Sequence, residues 1–536
     1  MPISKLFPFA AALLFAASLT AQTGRQTCNV RDYGATGRKS GDATAAMNNA
    51  VEACAKAGGG TVYVPPGEYT TGSIRLKSHI TFHIDAGATL FASLDPKAFD
   101  KVKGAVFYGE DLQNITLEGR GTVDGQAQYE WRTDPDFHDF YIAPNTERMR
   151  ARNKPLLRSF PKNMDAGTFP RMVLLIRCKD VRITGLNFLH SRSWNINPYA
   201  CERVVIDGVY IYSSLKEAVW ADGIDPDGCK DVRIANSTIV TGDDAVVFYS
   251  STIWGPALPC ENITVSNCRL SSASSAIKFC DGNANCVRKV TIDNTAITDS
   301  NRGLAFMVFD GGYVSDVVIS NLTIECNRKD WFWWGDGDPI HFNVKRRSEI
   351  DRHATPGEPP AGAIRNVLLH NIVAHGMGTS SIMGHPGSWL DGVTIDNVKL
   401  FLSEDPQAPY PGATHALQVR YARNFTLRNF EVTWDKPASD QWESALAAED
   451  VQDFYLDGFS ARQGRADAPV VMLGNAARVT IRNSKAQPGT GVFVRVKANT
   501  KRLDLVGNDF RAAKAAYRVD PGVRPTEVKS FNNLAP

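Results

Sequence analysis

Short runs in which apolar residues occupy alternate positions recur along most of this chain, and each run ends on Asn or Gly. They are Ile115–Gly119, Val181–Gly185, Val204–Gly208, Val232–Asn236, Ile263–Asn267, Val290–Asn294, Val317–Asn321, Val367–Asn371, Val393–Asn397, Phe425–Asn429, Val479–Asn483 and Leu503–Gly507. Alternation marks strands with one buried face, and a terminal Asn or Gly suits a turn in the left-handed backbone region. Most neighbouring runs lie about 23–32 residues apart, the period of a solenoid. The pattern therefore predicts parallel strands stacked about 4.8 Å apart in a β-helix. A sandwich or a propeller also has many short strands, but would not sustain one motif along most of the chain.

Ahead of the repeats, Cys28–Gly37 and Gly58–Tyr69 read as strands, the second closed by a Pro-Gly turn, with a helix over Thr44–Ala57 between them. Ala46, Ala50, Val51 and Cys54 share one face of that helix. The expected organisation is a short N-terminal α/β cap over 22–75 and an all-β solenoid over 76–536. Two intervals break the period, near 126–171 and 327–364, and long excursions from a regular scaffold tend to be functional. The first carries Trp131, Arg132, Arg148, Arg150, Arg152 and Arg158; the second carries Trp331, Trp333, Trp334, His341, Lys345, Arg346 and Arg347. Aromatic faces suit sugar rings, and clustered Arg suits carboxylate or sulfate. Solvated surface loops are the plain alternative.

Composition adds boundaries. The 536 residues carry 59 basic and 57 acidic side chains, a net charge of +2, which gives no reason to expect a nucleic-acid partner. Lys5 ahead of the apolar run Phe7–Leu19 resembles a secretory signal cut after Ala21, and no later segment has the make-up of a membrane span. The expected location is secreted or periplasmic. Ten cysteines, all after the signal, are compatible with disulfides, with Cys28–Cys54 and Cys280–Cys286 as the expected pairs. Their spacing matches no zinc site, and no metal or cofactor is expected. Nothing in the sequence fixes a subunit number.

The stretch Trp220–Asp244 concentrates the chemistry. Asp222 lies about one short repeat upstream of the adjacent pair Asp243 and Asp244, so a β-helix sets their backbones about 4.8 Å apart along its axis. Both members of the pair reach one groove only if the chain bends, which Gly242 permits. Crowded carboxyls raise at least one pKa, so that one group protonates a leaving oxygen while another activates water. Asp225 and Asp227, in Asp225-Pro226-Asp227-Gly228, read as turn residues.

These segments resemble the polygalacturonase family, glycoside hydrolase family 28, within the pectate-lyase-like right-handed β-helices. The resemblance covers roughly Cys28 to Glu325. It rests on Cys28–Gly37, Gly58–Tyr69, Ser193–Pro198 with Cys201, Ala221–Asp227, Gly242–Asp244, and Arg302–Leu304 before Gly311 and Gly312. It implies a single-stranded right-handed parallel β-helix and inverting hydrolysis of a poly- or oligosaccharide, pectin-like or another acidic glycan. Asp243 is then the general acid, and Asp222 and Asp244 the pair that holds and deprotonates the water. Substrate-binding candidates are Lys278, Arg302, Trp194, Asn197, Trp333, Trp334, His341 and Lys345.

The chain departs from the family pattern in three places. Trp220-Ala221-Asp222 stands for Asn-Thr-Asp, Ser272–Ser275 for a histidine-bearing segment, and Ala305-Phe306-Met307 for the Arg-Ile-Lys that grips a sugar carboxylate. Lys278 is a candidate replacement cation. Two other readings stay open: a polysaccharide lyase whose aspartates bind calcium, and a carbohydrate-binding β-helix without catalysis.

Overall fold

The apolar alternation folds as predicted, into parallel strands that return to the same place once per coil. The structure is a computed structural model that describes residues 26–129, 131–133, 159–161, 170–279, 286–329, 335–346, 360–404, 414–435 and 442–536. The expected signal segment, Cys280, Trp331, Trp333 and Trp334 lie outside the described residues, as do Arg148, Arg150, Arg152, Arg158 and Arg347. No helix among the described residues is long and apolar enough to cross a membrane.

Three parallel ladders run along the molecule. The first contains the repeat motif in register: Ile115, Val181, Val204, Val232, Ile263, Val290, Val317, Val367 and Val393 align from coil to coil, all buried. The same ladder passes through Phe425, Phe454, Val479 and Leu503. Phe454, followed by Gly458 at φ 71°, belongs to a coil that the repeat pattern had passed over. The Asn that closes each motif is left-handed, with φ between 46° at Asn294 and 58° at Asn321. These residues also bond along the stack: Asn267 donates to Asn236, Asn294 to Asn267 and Asn397 to Asn371.

The second ladder runs from Gly67–Thr71 through Ala88–Ala92, Thr122–Asp124, Asn187–Leu189, Tyr210–Tyr212, Thr238–Thr241 and Arg269–Ser272. The third carries the chemistry. It runs through Ala105–Glu110, Arg171–Ile176, Ile196–Tyr199, a short rung at 224–227, Val246–Phe248, Ser275–Phe279, Arg302–Phe309 and Asp338–Lys345. Beneath it Phe248, Phe279, Phe306 and Phe342 stack with ring centres 5.1, 4.3 and 4.1 Å apart. Aromatic side chains repeated at one register fill the same slot on every coil, which makes the wall above them rigid.

The predicted helix forms over Thr44–Lys56 and buries Ala46, Met47, Ala50, Val51 and Cys54. The strands on either side, Gln26–Asn29 and Gly60–Val64, pair with each other and continue into the first ladder through Ile80–Ile84. Of the two breaks in period, the described part of the first holds an antiparallel pair, Trp131–Thr133 with Ser159–Pro161. The second is not all excursion: Asp338–Lys345 is a wall strand that pairs with Arg302–Phe309 and, through His341–Asn343, with Ser380–Met383.

Cys28 and Cys54 form the expected disulfide. Cys286 is a buried free thiol. Cys178, Cys201, Cys229 and Cys260 are buried thiols on successive coils, and the Cys178 and Cys201 backbone N–H groups point at the next sulfur, 3.3 and 3.4 Å away.

Candidate active site

One column of the third ladder assembles four of the eleven sequence-predicted site residues, Trp194, Asp222, Asp244 and Arg302. The Met172 N–H donates to the Trp194 carbonyl, Asn195 to Asp222, Gly223 to Asp244 and Ala245 to Ser275, each step moving one coil. Ser275 then aligns with Arg302, and Arg302 with Asp338. Trp194, Asp222, Asp244, Ser275, Arg302 and Asp338 therefore follow one another at the coil spacing of about 4.8 Å. In the neighbouring column Val247 aligns with Lys278, Lys278 with Ala305 and Ala305 with His341.

Asp222, Asp243 and Asp244 each offer a carboxylate oxygen, and these oxygens lie within 4.8 Å of one another. All three residues are buried, with 3, 9 and 1% of their surface exposed. Backbone contacts hold the bend that brings consecutive aspartates together: the Thr241 and Ser272 hydroxyls donate to the Asp243 carbonyl at 2.8 and 2.6 Å, and the Ser275 N–H donates to Asp244 at 2.9 Å. A Cβ on Gly242 would stand 2.2 Å from the Ala218 carbonyl oxygen, so the close approach there requires glycine. The serines at 272–275, where the resemblance led one to expect a histidine, serve this backbone. Lys278 donates to Asp244 at 2.8 Å with both side chains buried, so its charge is committed to the acid cluster.

Asp225 and Asp227 correct the turn reading. Ile224 and Asp227 bridge Ile196 and Tyr199 on one side and Val246 and Tyr249 on the other, so 224–227 is a wall rung and the turn begins at Gly228, with φ 57°. The signal was present in sequence: Ile196-Asn197-Pro198 and Ile224-Asp225-Pro226 repeat one coil apart. Asp227 accepts from the Ser251 N–H at 2.7 Å and from its hydroxyl, and so anchors the following loop. Asp225 is fully buried and neither carboxylate oxygen has a hydrogen-bond partner. Asn197 Oδ1, Asn195 Oδ1, Trp254 Nε1 and Arg171 Nε are also buried and unpartnered. Each such group costs about 1–3 kcal/mol, so this end of the wall is unfavourable to the fold taken alone, as ligand sites tend to be.

Electrostatics separate the carboxyls. Burial, then Asp243, Asp225 and Asp244, push the Asp222 carboxyl well above its ordinary value, with Lys278 opposing. Burial and then Asp244 raise Asp225 strongly, against Arg171. Arg171 is drawn down to about 10 by burial, with Asp225, Asp222 and Asp227 opposing. Three carboxylates this close also offer oxygen ligands to a hard cation. The Lys278 ammonium already supplies one positive charge there.

Further along the wall Arg302 donates to Asp338 at 3.1 Å, and His341 Nδ1 lies 2.9 Å from the same oxygen, while His341 Nε2 is buried without a partner. Burial would raise Asp338, but Arg302 and His341 prevail and hold it well below the ordinary range; burial and Arg302 lower His341. Asn197 is buried and its amide donates to the Asp225 carbonyl at 2.9 Å. Lys345 ends the Asp338–Lys345 strand, beyond His341 and away from the acids. Trp194 is partly exposed and stacks on Tyr249, with centres 5.5 Å apart and planes 9° apart.

Comparison with known proteins agrees with this architecture. Residues 156–331 match the family "Glycosyl hydrolases family 28", and residues 27–136 match "Rhamnogalacturonase A/epimerase, pectate lyase-like". A probable polygalacturonase of Vitis vinifera is 25% identical over 399 residues, 69% of this chain and 74% of the relative. An exopolygalacturonase of Platanus acerifolia is 27% identical over 315 residues, 56% of this chain and 73% of the relative. Among solved structures, a hyperthermoactive exopolygalacturonase from Thermotoga maritima superposes with a TM-score of 0.57 at 22% identity, covering 76% of this chain and 92% of the other. This chain is accordingly a glycoside hydrolase similar to polygalacturonases, built on a right-handed parallel β-helix, in which residues 156–331 match family 28.

Proposed function

We propose that the protein hydrolyses a glycosidic bond in a galacturonate-containing, pectin-like glycan, by inversion and with Asp222, Asp243 and Asp244 as the working carboxyls. The observation that carries the hydrolase reading is their approach to within 4.8 Å of one another on the wall of the β-helix, while inversion is taken from the resemblance to family 28 and not from that spacing. Asp243 donates a proton to the leaving oxygen, while Asp244, the carboxylate paired with Lys278, deprotonates the attacking water and Asp222, whose carboxyl is pushed toward its protonated form, holds that water in place. The names of the sequence relatives support a polygalacturonide as substrate. Export after cleavage near Ala21 belongs to the same reading, and the Cys28–Cys54 bridge supports an oxidising compartment.

The test is release of reducing ends over a panel of polygalacturonate, rhamnogalacturonan and neutral polysaccharides, with the Asp243→Asn protein as blank. Wild type releases them from a galacturonate polymer, and Asp243→Asn lowers the rate by at least about 10²-fold. The fresh anomer, followed by proton NMR, is expected to be inverted. Two-carboxylate retaining enzymes hold their acids about 5 Å apart, so a retained anomer would overturn the mechanism while leaving the hydrolase standing. One observation favours a second reading: the same oxygens form a cation-sized ligand set, as a calcium-dependent lyase requires. Ultraviolet absorbance from an unsaturated uronide, lost on chelation, would establish it; hydrolysis predicts neither.

A further inference from the structure

Arg171 opens the wall strand Arg171–Ile176, and its neighbour Met172 is hydrogen-bonded to the Trp194 carbonyl on the next coil, immediately before Asp222 and Asp244. Its guanidinium carbon lies over two indoles, 4.9 Å from the ring centre of Trp194 and 4.9 Å from that of Trp254. With rings over the cation, the N–H edge of the guanidinium is what remains for a further partner. Among the described residues nothing satisfies that edge. Nε is buried with no hydrogen-bond partner, and no described carboxylate comes within ion-pair distance, although Asp225, Asp222 and Asp227 exert the largest pull on the charge.

The other cations near the acids are already engaged. Lys278 is paired with Asp244, and Arg302 with Asp338. On the Arg302 strand, Ala305, which pairs with Lys278, and Met307 are apolar and buried. Among the described residues, recognition of an anionic sugar beside the acid cluster therefore falls to Arg171, whose fork is unfilled. The fork is planar and presents parallel donors that match the two oxygens of a carboxylate. The indole that orients it, Trp194, is partly exposed and itself stacked on Tyr249, which fixes the position of the fork.

We propose that Arg171 holds the carboxylate of a uronate residue bound next to the acid cluster, and so determines the preference of this enzyme for acidic over neutral glycans. The inference rests on the hydrolase reading above and names the group that selects the substrate. Calorimetric titration of the Asp243→Asn protein, which binds without turnover, measures it directly, with trigalacturonate and its carboxyl-reduced counterpart as ligands. The expected result is a preference for trigalacturonate of about tenfold or more, charge-assisted contacts being the strong ones. Adding Arg171→Gln abolishes that preference by weakening the uronate alone. Arg171→Lys, which keeps the charge but not the fork, retains only part of it and covers the case in which the glutamine variant does not fold. Absence of a preference in the parent, an equal loss for both ligands, or no loss in either variant would overturn the proposal. Failure of the active protein to release reducing ends from any glycan would instead strike the hydrolase reading, since binding is measured independently of it.

Discussion

Asp222 and Asp244 sit one coil apart and differ in what surrounds them, which gives the same substitution opposite consequences. Asp244 is ion-paired with buried Lys278, so Asp244→Asn removes a buried charge-assisted hydrogen bond and is expected to cost about 1.5–3 kcal/mol by denaturant titration. Asp222 is crowded by other carboxyls, so Asp222→Asn relieves repulsion and is expected to hold or raise Tm, although both variants lose turnover. The pH dependence follows with its sign. A carboxyl whose folded pKa stands above 3.8 binds more protons folded than unfolded, so its contribution to stability falls as pH rises from that value through its folded pKa. The Tm of Asp222→Asn relative to wild type should therefore climb between pH 4 and pH 7. Asp338 behaves in reverse: depressed by Arg302 and His341, it contributes stability above its ordinary value and loses it as pH falls below. At this scale the sequence was partly readable. The three aspartates and Trp194 stood out by motif, but Asp225 passed for a turn residue because Asp-Pro-Asp-Gly is also turn chemistry. Arg171 carried no local signal at all, since it stands between Trp194 and Trp254, 23 and 83 positions away along the chain.

Elements were the most legible level, because a period-2 pattern closed by Asn or Gly states both the buried face and the turn. The first ladder follows that pattern coil after coil. The third ladder, which bears the site, was harder to see: its rungs are irregular and its outward positions hold functional groups such as Lys278 and Arg302 in place of a simple polar alternation. Its regularity lies inside, in the Phe248, Phe279, Phe306 and Phe342 stack. Phe306→Ala removes the ring packed between two others and is expected to destabilise by about 3–5 kcal/mol, read from urea unfolding. Because Ala305, the next residue, lies between Lys278 and His341 in register, the same variant should also lower turnover at temperatures where it remains folded. The thiol column at Cys178, Cys201, Cys229 and Cys260 shows why cysteine number misled. One thiol per coil at these four positions reflects a repeated interior slot for a small apolar side chain.

For the whole molecule, contacts run between adjacent coils, so stability is close to a sum of coil and neighbour terms. Urea unfolding should accordingly show an m-value well below that of a cooperative globule of the same length, and different transitions by fluorescence and by circular dichroism. A single sharp two-state transition would contradict this. The same geometry governs how such a chain tolerates change in length. Duplicating the 454–478 repeat, remote from the acids, adds a storey to the tower and leaves its workshop as it was. Duplicating the repeat that separates Asp222 from Asp243 drives the two floors apart by about 4.8 Å, beyond the reach of one proton and one water. Growth of this lineage by whole storeys is therefore free at the far end and forbidden between two particular floors.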